Sequence, residues 1–432
     1  MSQTTQTSLL LLEMVLVFGV AQRLLRLSTV LSLLAAAVAA SLTSGIGAAG
    51  TAYHVVEGSF TFLHIALIIL TGTLFVEVQK ESGAFDALVR ILIVRLHGSP
   101  RSLLVLLMFL VILPGALTGP GAAGVIALGS VVAPVLAGMG IPPASVVAFL
   151  ALGGVLGDFA PPINIPAMII SSGINMPYVG FFAPLAAITA VLAVGTSLFV
   201  GARHVKGPLD LDRILAGLPP VRESMTATRV AAPLLVVAAL MVGARALPHV
   251  LPPLGVPLMF LAGTAVAALA GGRWDLLRIS RDVVERTLPV VGILIAVGPV
   301  VQVMSATGVR GLFVITAITV PIVILYAALF LGLPLSGSVL GTLGAASILG
   351  VPFMLALLGR DPIVATIGIS LIAALATLTP PTAITGKAAM MVADYRDSYG
   401  AILRRCLVPL LVVDAIGLLL VVFADRLHFI LL

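Results

Sequence analysis

Long apolar segments, separated by short charged stretches, follow one another along nearly the whole chain. An apolar run of about 20 residues is long enough to cross a lipid bilayer as a helix. The pattern therefore predicts an all-α polytopic membrane protein. Its uninterrupted spans are expected at residues 8–22, 27–46, 61–79, 180–201, 230–248, 253–271, 287–305 and 402–424.

Polar residues mark the connections between these spans. A short polar loop that contains His54 and Glu57 is expected after the second span. A charged amphipathic segment is expected at 80–101, after the third.

Two further apolar segments are interrupted at their centres. Residues 102–137 and 312–358 carry Pro and Gly near the middle, at 114–121 and 334–338. Both residue types form turns, and irregular backbone at membrane depth is tolerated where protein surrounds it. We expect two re-entrant helical hairpins, with tips at 118–121 and 334–338.

Two other segments, 144–172 and 363–393, contain a pair of adjacent prolines, at 161–162 and 380–381. Proline has no backbone N–H and its ring clashes with the preceding turn, so each helix must break there. Two Pro-interrupted segments in matching positions of two halves are typical of transporter binding sites.

The two halves of the chain repeat this order of features. Residues 1–201 and 230–432 each hold scaffold spans, a hairpin and a broken helix, and the polar stretch 202–229 links them. The basic connections, placed in the cytoplasm, put the N-terminus outside and give the halves opposite orientations. We therefore expect inverted structural repeats, in which 118–119 corresponds to 336–337.

Composition leads to the same class. The chain is 60% hydrophobic and 9% charged, with a mean hydropathy of +1.24, whereas about a quarter of the residues in a soluble domain are charged. The net charge of +6 is assigned to cytoplasmic loops rather than to nucleic-acid binding. A single cysteine, Cys406, excludes an intramolecular disulfide and a Cys-rich metal site.

No catalytic pattern is visible in the sequence. It has no His-Glu-x-x-His and no Walker-type phosphate loop. We expect no catalytic residues, no organic cofactor and no transition metal; an intramembrane enzyme is a remote alternative. A channel is disfavoured because the breaks pair into two closed sites rather than a ring of equivalent elements.

The hairpin tips and helix breaks are the candidate binding regions. Carbonyls at half-helix C-termini favour cations, and N–H groups at half-helix N-termini favour anions. A tip facing a break suits a small cation such as Na⁺. The candidate Na⁺ ligands are Thr118, Gly119, Asp158, Asn164, Ser336, Gly337, Thr379 and Thr382. The candidate substrate contacts are Pro161, Pro162, Ser338, Pro380, Pro381, Thr385 and Lys387.

Simpler interpretations of these residues stay open. Ser and Thr side chains often hydrogen-bond the backbone of their own helix. Asp158 is a carboxylate at membrane depth, where it is costly unless paired or solvated; it fits ion coordination, proton coupling or a capping role. Lys387 fits either contact with a substrate carboxylate or extension to the membrane interface.

Several motifs of the sequence resemble those of a known family. The run at 117–129 (Leu-Thr-Gly-Pro-Gly-Ala-Ala-Gly-Val-Ile-Ala-Leu-Gly), the prolines 161–162 and the run at 378–385 (Leu-Thr-Pro-Pro-Thr-Ala-Ile-Thr) resemble the large membrane subunit of TRAP transporters. More broadly, the chain resembles the ion transporter superfamily of Na⁺-coupled carboxylate carriers. The resemblance covers nearly the whole chain.

The resemblance implies a Na⁺-coupled symporter of a small organic anion, a carboxylate above all, in a bacterial inner membrane. It implies an elevator mechanism, in which the hairpins and broken helices carry their cargo across a static scaffold. It also implies two separate partners, a four-span small membrane subunit and a periplasmic substrate-binding protein. The chain is also compatible with a homo-oligomer.

Three positions depart from the family pattern. The first tip reads Thr-Gly-Pro at 118–120 where the family usually has Ser-Gly-Ser. Ile163-Asn164 follows the first proline pair where the family usually has Ser, and Thr382-Ala383 follows the second where it tends to have Gly. A stand-alone carrier that works without a binding protein is therefore an open alternative, as is proton coupling through Asp158.

Overall fold

A computed structural model describes residues 3–205, 207, 209–218, 225–247, 254–271, 275–357 and 359–427. All regular structure within these ranges is helical. Nine of the described helical segments are long and apolar enough to cross a membrane. The all-α polytopic membrane class predicted from the sequence is confirmed.

Ten helices make up the first half of the chain. They are α1 Gln3–Arg23, α2 Thr29–Thr43, α3 Gly47–Phe60, α4 Leu63–Glu81, α5 Ala84–Leu96, α6 Pro100–Thr118, α7 Gly121–Gly138, α8 Pro143–Phe159, α9 Ile165–Gly173 and α10 Phe182–Gly201.

Eleven further α-helices lie in the described residues of the rest. They are α11 Leu211–Ala216, α12 Ala227–Ala246, α13 Val256–Gly271, α14 Leu276–Ala306, α15 Val309–Thr319, α16 Ile322–Ala327, α17 Leu333–Ala345, α18 Val351–Ala356, α19 Pro362–Ala374, α20 Ile384–Val392 and α21 Tyr399–Val422. Two π-helical segments, Ala328–Gly332 and Ala346–Gly350, and a 3₁₀ turn, Leu375–Thr377, lie between them.

The first hairpin and both helix breaks lie where the sequence predicts them. Helices α6 and α7 form the hairpin, whose tip turns at Gly119 with a φ of 97°. The first break (residues 160–164) separates α8 from α9, and the second (residues 378–383) precedes α20. The 161–162 and 380–381 peptide bonds are both cis.

The predicted tip of the second hairpin at 334–338 is wrong. Ser336 and Gly337 lie inside α17, and the backbone turns instead at Gly341, with φ 75° and ψ 161°. Pro334 directly follows the π-helical segment Ala328–Gly332, and the chain stays helical through it into α17. The residue that turns the chain is a glycine at positive φ, as at Gly119, because only glycine adopts that conformation without strain.

The polar loop predicted around His54 and Glu57 is also wrong, since both residues lie in α3. This helix crosses α14 at very short range. A Cβ added to Gly58 would lie 2.5 Å from the Cα of Pro299, and one added to Gly298 would overlap the carbonyl oxygen of Gly58. Small residues let two helices approach backbone to backbone, a typical contact inside membranes.

The predicted linker at 202–229 holds the short helix α11 and the start of α12. Positions 206, 208 and 219–224 of that stretch lie outside the described residues. The inverted relation of the two halves stays a prediction.

The broken helices lie at the centre of the protein. Every residue of α8 from Ser145 to Phe159 is buried, and so is every residue of α19 from Val364 to Ala374. A helix that is apolar on all sides is enclosed by other protein elements, and here α6, α7, α10, α20 and α21 surround α8. The helices that lead into the two breaks are therefore enclosed by protein.

The contact between α3 and α14 gives a test of the packing. Gly58→Ala places a methyl group against the backbone of Pro299, and overpacking of this kind typically destabilises by about 1–3 kcal/mol. We expect a lower melting temperature of the purified protein in detergent. Gly195→Ala in α10 is the control, because open space surrounds Gly195 and alanine is favoured over glycine in helices by about 0.5–1 kcal/mol. Equal melting temperatures for the two variants would contradict the close crossing.

Candidate functional site

The hairpin tips and the helix ends that flank the breaks lie around one small cavity. Its volume is about 150 Å³. Side chains of α14 close one side of it, at Val290 and Ile293. The residues that line it from the tips and breaks include Gly119, Pro120, Gly121, Asp158, Leu340, Gly341, Thr342, Ala376, Thr377, Thr382, Ile384 and Thr385. We call it the shared cavity.

Glycines bring the first hairpin against α8. A Cβ at Gly121 would overlap the carbonyl oxygen of Gly154, and one at Gly115 would lie 3.0 Å from the Cα of Gly157. Any side chain at Gly121 would push the tip away from α8. The glycine therefore places the N-terminus of α7 beside Asp158, which follows Gly154 by one turn.

The carboxylate of Asp158 joins the first tip to the second broken helix. Its Oδ1 accepts a hydrogen bond from the backbone N–H of Gly121 at 2.6 Å. Its Oδ2 accepts one from Oγ1 of Thr377 at 2.9 Å, across 219 residues of sequence. Gly121 opens α7, so the carboxylate also lies at the positive end of a helix dipole.

No cationic side chain balances this carboxylate. Asp158 is 4% exposed. Among the described residues it forms no ion pair, and no Lys, Arg or His lines the shared cavity. An ionised carboxylate has about four lone-pair sites and two are used here, so Asp158 retains the capacity to bind a cation.

Asn164 fastens the first break and does not line the shared cavity. Its Oδ1 accepts from the N–H of Ala167 at 3.0 Å and caps α9, and its Nδ2 donates to Oγ of Ser370 at 2.8 Å. Its backbone N–H donates to the hydroxyl of Tyr178 at 3.3 Å. The amide therefore ties α9 to α19, and its role as a Na⁺ ligand stays a prediction.

Four of the candidate hydroxyls donate to backbone carbonyls three or four residues earlier in the chain. Thr118 bonds the carbonyl of Pro114 at 2.8 Å, and Thr379 that of Leu375 at 3.0 Å. Ser336 and Ser338 bond the carbonyls three residues earlier, at 3.0 and 2.6 Å. These contacts match the simpler interpretation, in which such hydroxyls serve the local backbone.

Three threonine hydroxyls at the shared cavity have no hydrogen-bond partner within the described part of the chain: those of Thr342, Thr382 and Thr385. Buried polar groups in proteins are nearly always paired, so an orphan calls for an explanation such as a bound ion or water. Thr342 is absent from the sequence-based candidates because the sequence predicts the second tip at an earlier position in the chain than the structure shows. The signal that marks it is the Gly-Thr pair at 341–342.

The proline pairs and Lys387 lie around the shared cavity rather than in its wall. Lys387 folds back, and its Nζ donates to the carbonyl of Pro381 at 2.9 Å. Pro162 borders a separate cavity of about 630 Å³, together with Tyr178 and residues of α12 and α13. Pro161 borders another of about 440 Å³, beside α5, α6 and α10.

The described residues contain no group of three or more His, Cys, Asp or Glu side chains that fits a metal ion. The chemistry of the shared cavity is that of one carboxylate, several hydroxyls and exposed backbone. Oxygen ligands of this kind suit hard cations rather than transition metals.

Comparison with known proteins identifies a family. Residues 8–427 match the family model described as "Tripartite ATP-independent periplasmic transporter, DctM component". A search of curated protein sequences gives no match.

Solved structures share the fold. The chain is similar to the YdaH transporter of Alcanivorax borkumensis, with a TM-score of 0.63 and 18% identity, over 89% of this chain and 91% of that one. It is also similar to MtrF of Neisseria gonorrhoeae, described within a class of antimetabolite efflux pumps. That match has a TM-score of 0.60 and 18% identity, over 89% of this chain and 86% of the other. At these identities the likeness concerns the fold alone.

The first break gives a stability test. Asn164→Ala removes the cap of α9 and the bond to Ser370, and loss of a cap alone typically destabilises by about 1 kcal/mol. We expect a clear fall in melting temperature. Ser197→Ala is the matched control, because Ser197 is also fully buried but its hydroxyl donates only to Val194 in its own helix. A variant at Asn164 that melts with the Ser197 control would contradict the fastening role.

Proposed function

Because the chain belongs to the DctM family, the membrane component of tripartite ATP-independent periplasmic transporters, we propose that it is a Na⁺-coupled symporter of a small organic anion. Carboxylates are the leading substrate class. The observation that supports the coupling is the carboxylate of Asp158, buried in the shared cavity without a cationic partner among the described residues.

A buried, unpaired carboxylate at membrane depth requires a cation. Leaving one charge of a buried pair uncompensated typically destabilises by about 3–5 kcal/mol, and the group costs several kcal/mol in a bilayer. A cation taken from solution removes this penalty each time the cavity is loaded. We propose that this gain in free energy on cation binding couples the movement of the ion to that of the substrate.

Sodium fits this cavity better than a proton does. A proton needs only the carboxylate, whereas a hard metal cation needs several oxygen ligands around it. The hydroxyls of Thr377 and Thr342 and the backbone of both tips surround the cavity together with Asp158. The orphan hydroxyl of Thr342 supports a metal cation, since a proton on Asp158 leaves it unexplained.

The mechanism and the partners that we propose are suggested by membership of the family. We propose an elevator movement, in which the two hairpins and two broken helices move as one unit. DctM components usually work with a small membrane subunit and a substrate-binding protein, and we propose the same two partners here. The proposed location is a bacterial inner membrane, with the N-terminus in the periplasm.

Binding of ²²Na⁺ to the purified protein tests the coupling site. We expect saturable binding in the wild type and a loss of apparent affinity of at least ~10-fold in Asp158→Asn, since a neutral amide attracts a cation far less than a carboxylate. Asp414→Asn is the matched control, because Asp414 is a buried carboxylate in α21 that does not line the shared cavity. Equal Na⁺ affinity in Asp158→Asn and the wild type would refute the site.

Transport is tested in proteoliposomes with labelled carboxylates, with and without an inward Na⁺ gradient. We expect uptake only with the gradient. Uptake that a pH gradient drives and that does not depend on Na⁺ would show that the coupling ion is H⁺ and not Na⁺. Uptake without any gradient would contradict coupling altogether.

A further inference from the structure

We propose that the end of α10 and the start of α21 together bind the phosphate of an anionic phospholipid from the cytoplasmic leaflet. Four basic residues lie there, on the side of the protein that the sequence places in the cytoplasm. We call Arg203, His204, Arg404 and Arg405 the basic cluster. None of them lines the shared cavity.

Two helices that are far apart in the sequence supply the basic cluster. Arg203 and His204 directly follow α10, and Arg404 and Arg405 lie in the second turn of α21. Within the first pair, Nε of Arg203 donates to Nε2 of His204 at 3.0 Å.

The start of α8 holds the two helix ends side by side. Nε of Arg405 donates to Oγ of Ser145, a buried residue in the first turn of α8, at 3.2 Å. The loop that leads into α8 packs against the end of α10, since a Cβ added to Gly140 would lie 3.8 Å from the carbonyl oxygen of His204. Both ends are therefore positioned by the same stretch of chain.

The arginines of the basic cluster have no acidic partner in the part of the chain that the structure describes. The first turn of α21 also carries no acidic residue. Burial, and then the positive charges of Arg203 and Arg405, hold the pKa of His204 below its usual range. Like charges that the fold holds together repel one another, and a bound anion removes that repulsion.

The apolar surface beside the basic cluster favours a lipid over a soluble anion. Arg203 follows Phe199 by four residues, and Arg404 precedes Val408 by four. Phe199 and Val408 are both 50% exposed. Residues four apart lie on the same face of a helix, so each arginine stands at the end of an apolar face that is open to the bilayer. A lipid whose phosphate contacts the arginines can lay its acyl chains along these faces.

The chemistry of the two partners is complementary. Arginine carries a planar fork of donors that matches the oxygens of a phosphate group. Basic pockets between membrane helices on the cytoplasmic side are suited to anionic headgroups, because the cytoplasmic leaflet is negatively charged.

A lipid bound here stabilises the helices around the first broken helix. Helix α10 packs against α6 and α8, and α21 packs against α8 and α19. A headgroup shared by Arg203 and Arg404 links the ends of α10 and α21. A ligand that binds only the folded state raises the melting temperature.

Melting temperatures of the purified full chain in an uncharged detergent test the assignment. The probes are dioleoyl phosphatidylglycerol, dioleoyl phosphatidylcholine and free glycerol phosphate, each titrated at constant ionic strength. Phosphatidylcholine has the same chains but no net charge, and glycerol phosphate has the charge but no chains. We expect phosphatidylglycerol to raise the melting temperature and the other two probes to leave it unchanged.

A double variant locates the site. Arg203→Gln/Arg404→Gln changes two exposed side chains and leaves Arg405 in place. We expect its apparent affinity for phosphatidylglycerol to fall ~25-fold, since each basic residue near an anionic membrane contributes about 5-fold. Arg23→Gln/Arg281→Gln is the matched control, because these exposed arginines of α1 and α14 also form no ion pair among the described residues. We expect wild-type affinity in the control.

Three outcomes overturn the assignment. Equal shifts with phosphatidylglycerol and phosphatidylcholine would show that the headgroup charge is not recognised. A shift with glycerol phosphate as large as that with the lipid would make a soluble anion the ligand. An unchanged affinity for phosphatidylglycerol in Arg203→Gln/Arg404→Gln, or an equal loss in the control, would place the lipid elsewhere on the protein.

Discussion

Hydrocarbon offers no hydrogen bonds, and this constraint governs the centre of the protein. Each proline pair interrupts a helix and leaves N–H and C=O groups without helical partners, which lipid cannot satisfy. Side chains of the protein satisfy several of these groups. Asn164 and Tyr178 serve the first break, and Tyr399 donates to the carbonyl of Leu378 at 2.6 Å in the second. These contacts require α8 and α19 to be enclosed by other helices, and that enclosure creates the shared cavity.

The two breaks satisfy this constraint to different degrees. The first is capped by Asn164, and the carboxylate of Asp158 is the charged group that it presents to the cavity. The second leaves the start of α20 without a side-chain cap, and the hydroxyls of Thr382 and Thr385 find no partner among the described residues. The two breaks thus present a carboxylate and an uncapped helix start to one small space, which suits the proposed joint binding of a cation and an anion.

Much of this architecture could be predicted from the sequence, because proline and glycine leave local signals. The proline pairs located both breaks, and glycine at 119 located the first tip. The second tip lies later than the sequence predicts, because a Pro-Leu-Ser-Gly-Ser run resembles a turn although the chain stays helical through Pro334. Helix α3 is not predicted from the sequence, because its residues are small and polar and its packing depends on the contact with α14.

The candidate site was harder to predict, because its geometry depends on distant contacts. Asp158 stood out as a charge in an apolar segment, but its partner Thr377 lies 219 residues away. Side-chain rotamers and packing decide which hydroxyls bond to the local backbone and which face the cavity. The spacing of residues in the sequence reveals neither. For the same reason Thr342 is not among the site residues predicted from the sequence. The cap that Asn164 makes on α9 is likewise visible only in the structure.

The proposed function requires ion and substrate to bind together in the shared cavity. Cryo-electron microscopy of the protein in Na⁺ and a transported carboxylate, compared with the same preparation in choline, tests it most directly. We expect density for a cation in contact with the Asp158 carboxylate and density for the substrate carboxylate in the same cavity, both absent in choline without substrate. A cavity that is unchanged between the two conditions, with the substrate bound elsewhere, would contradict it.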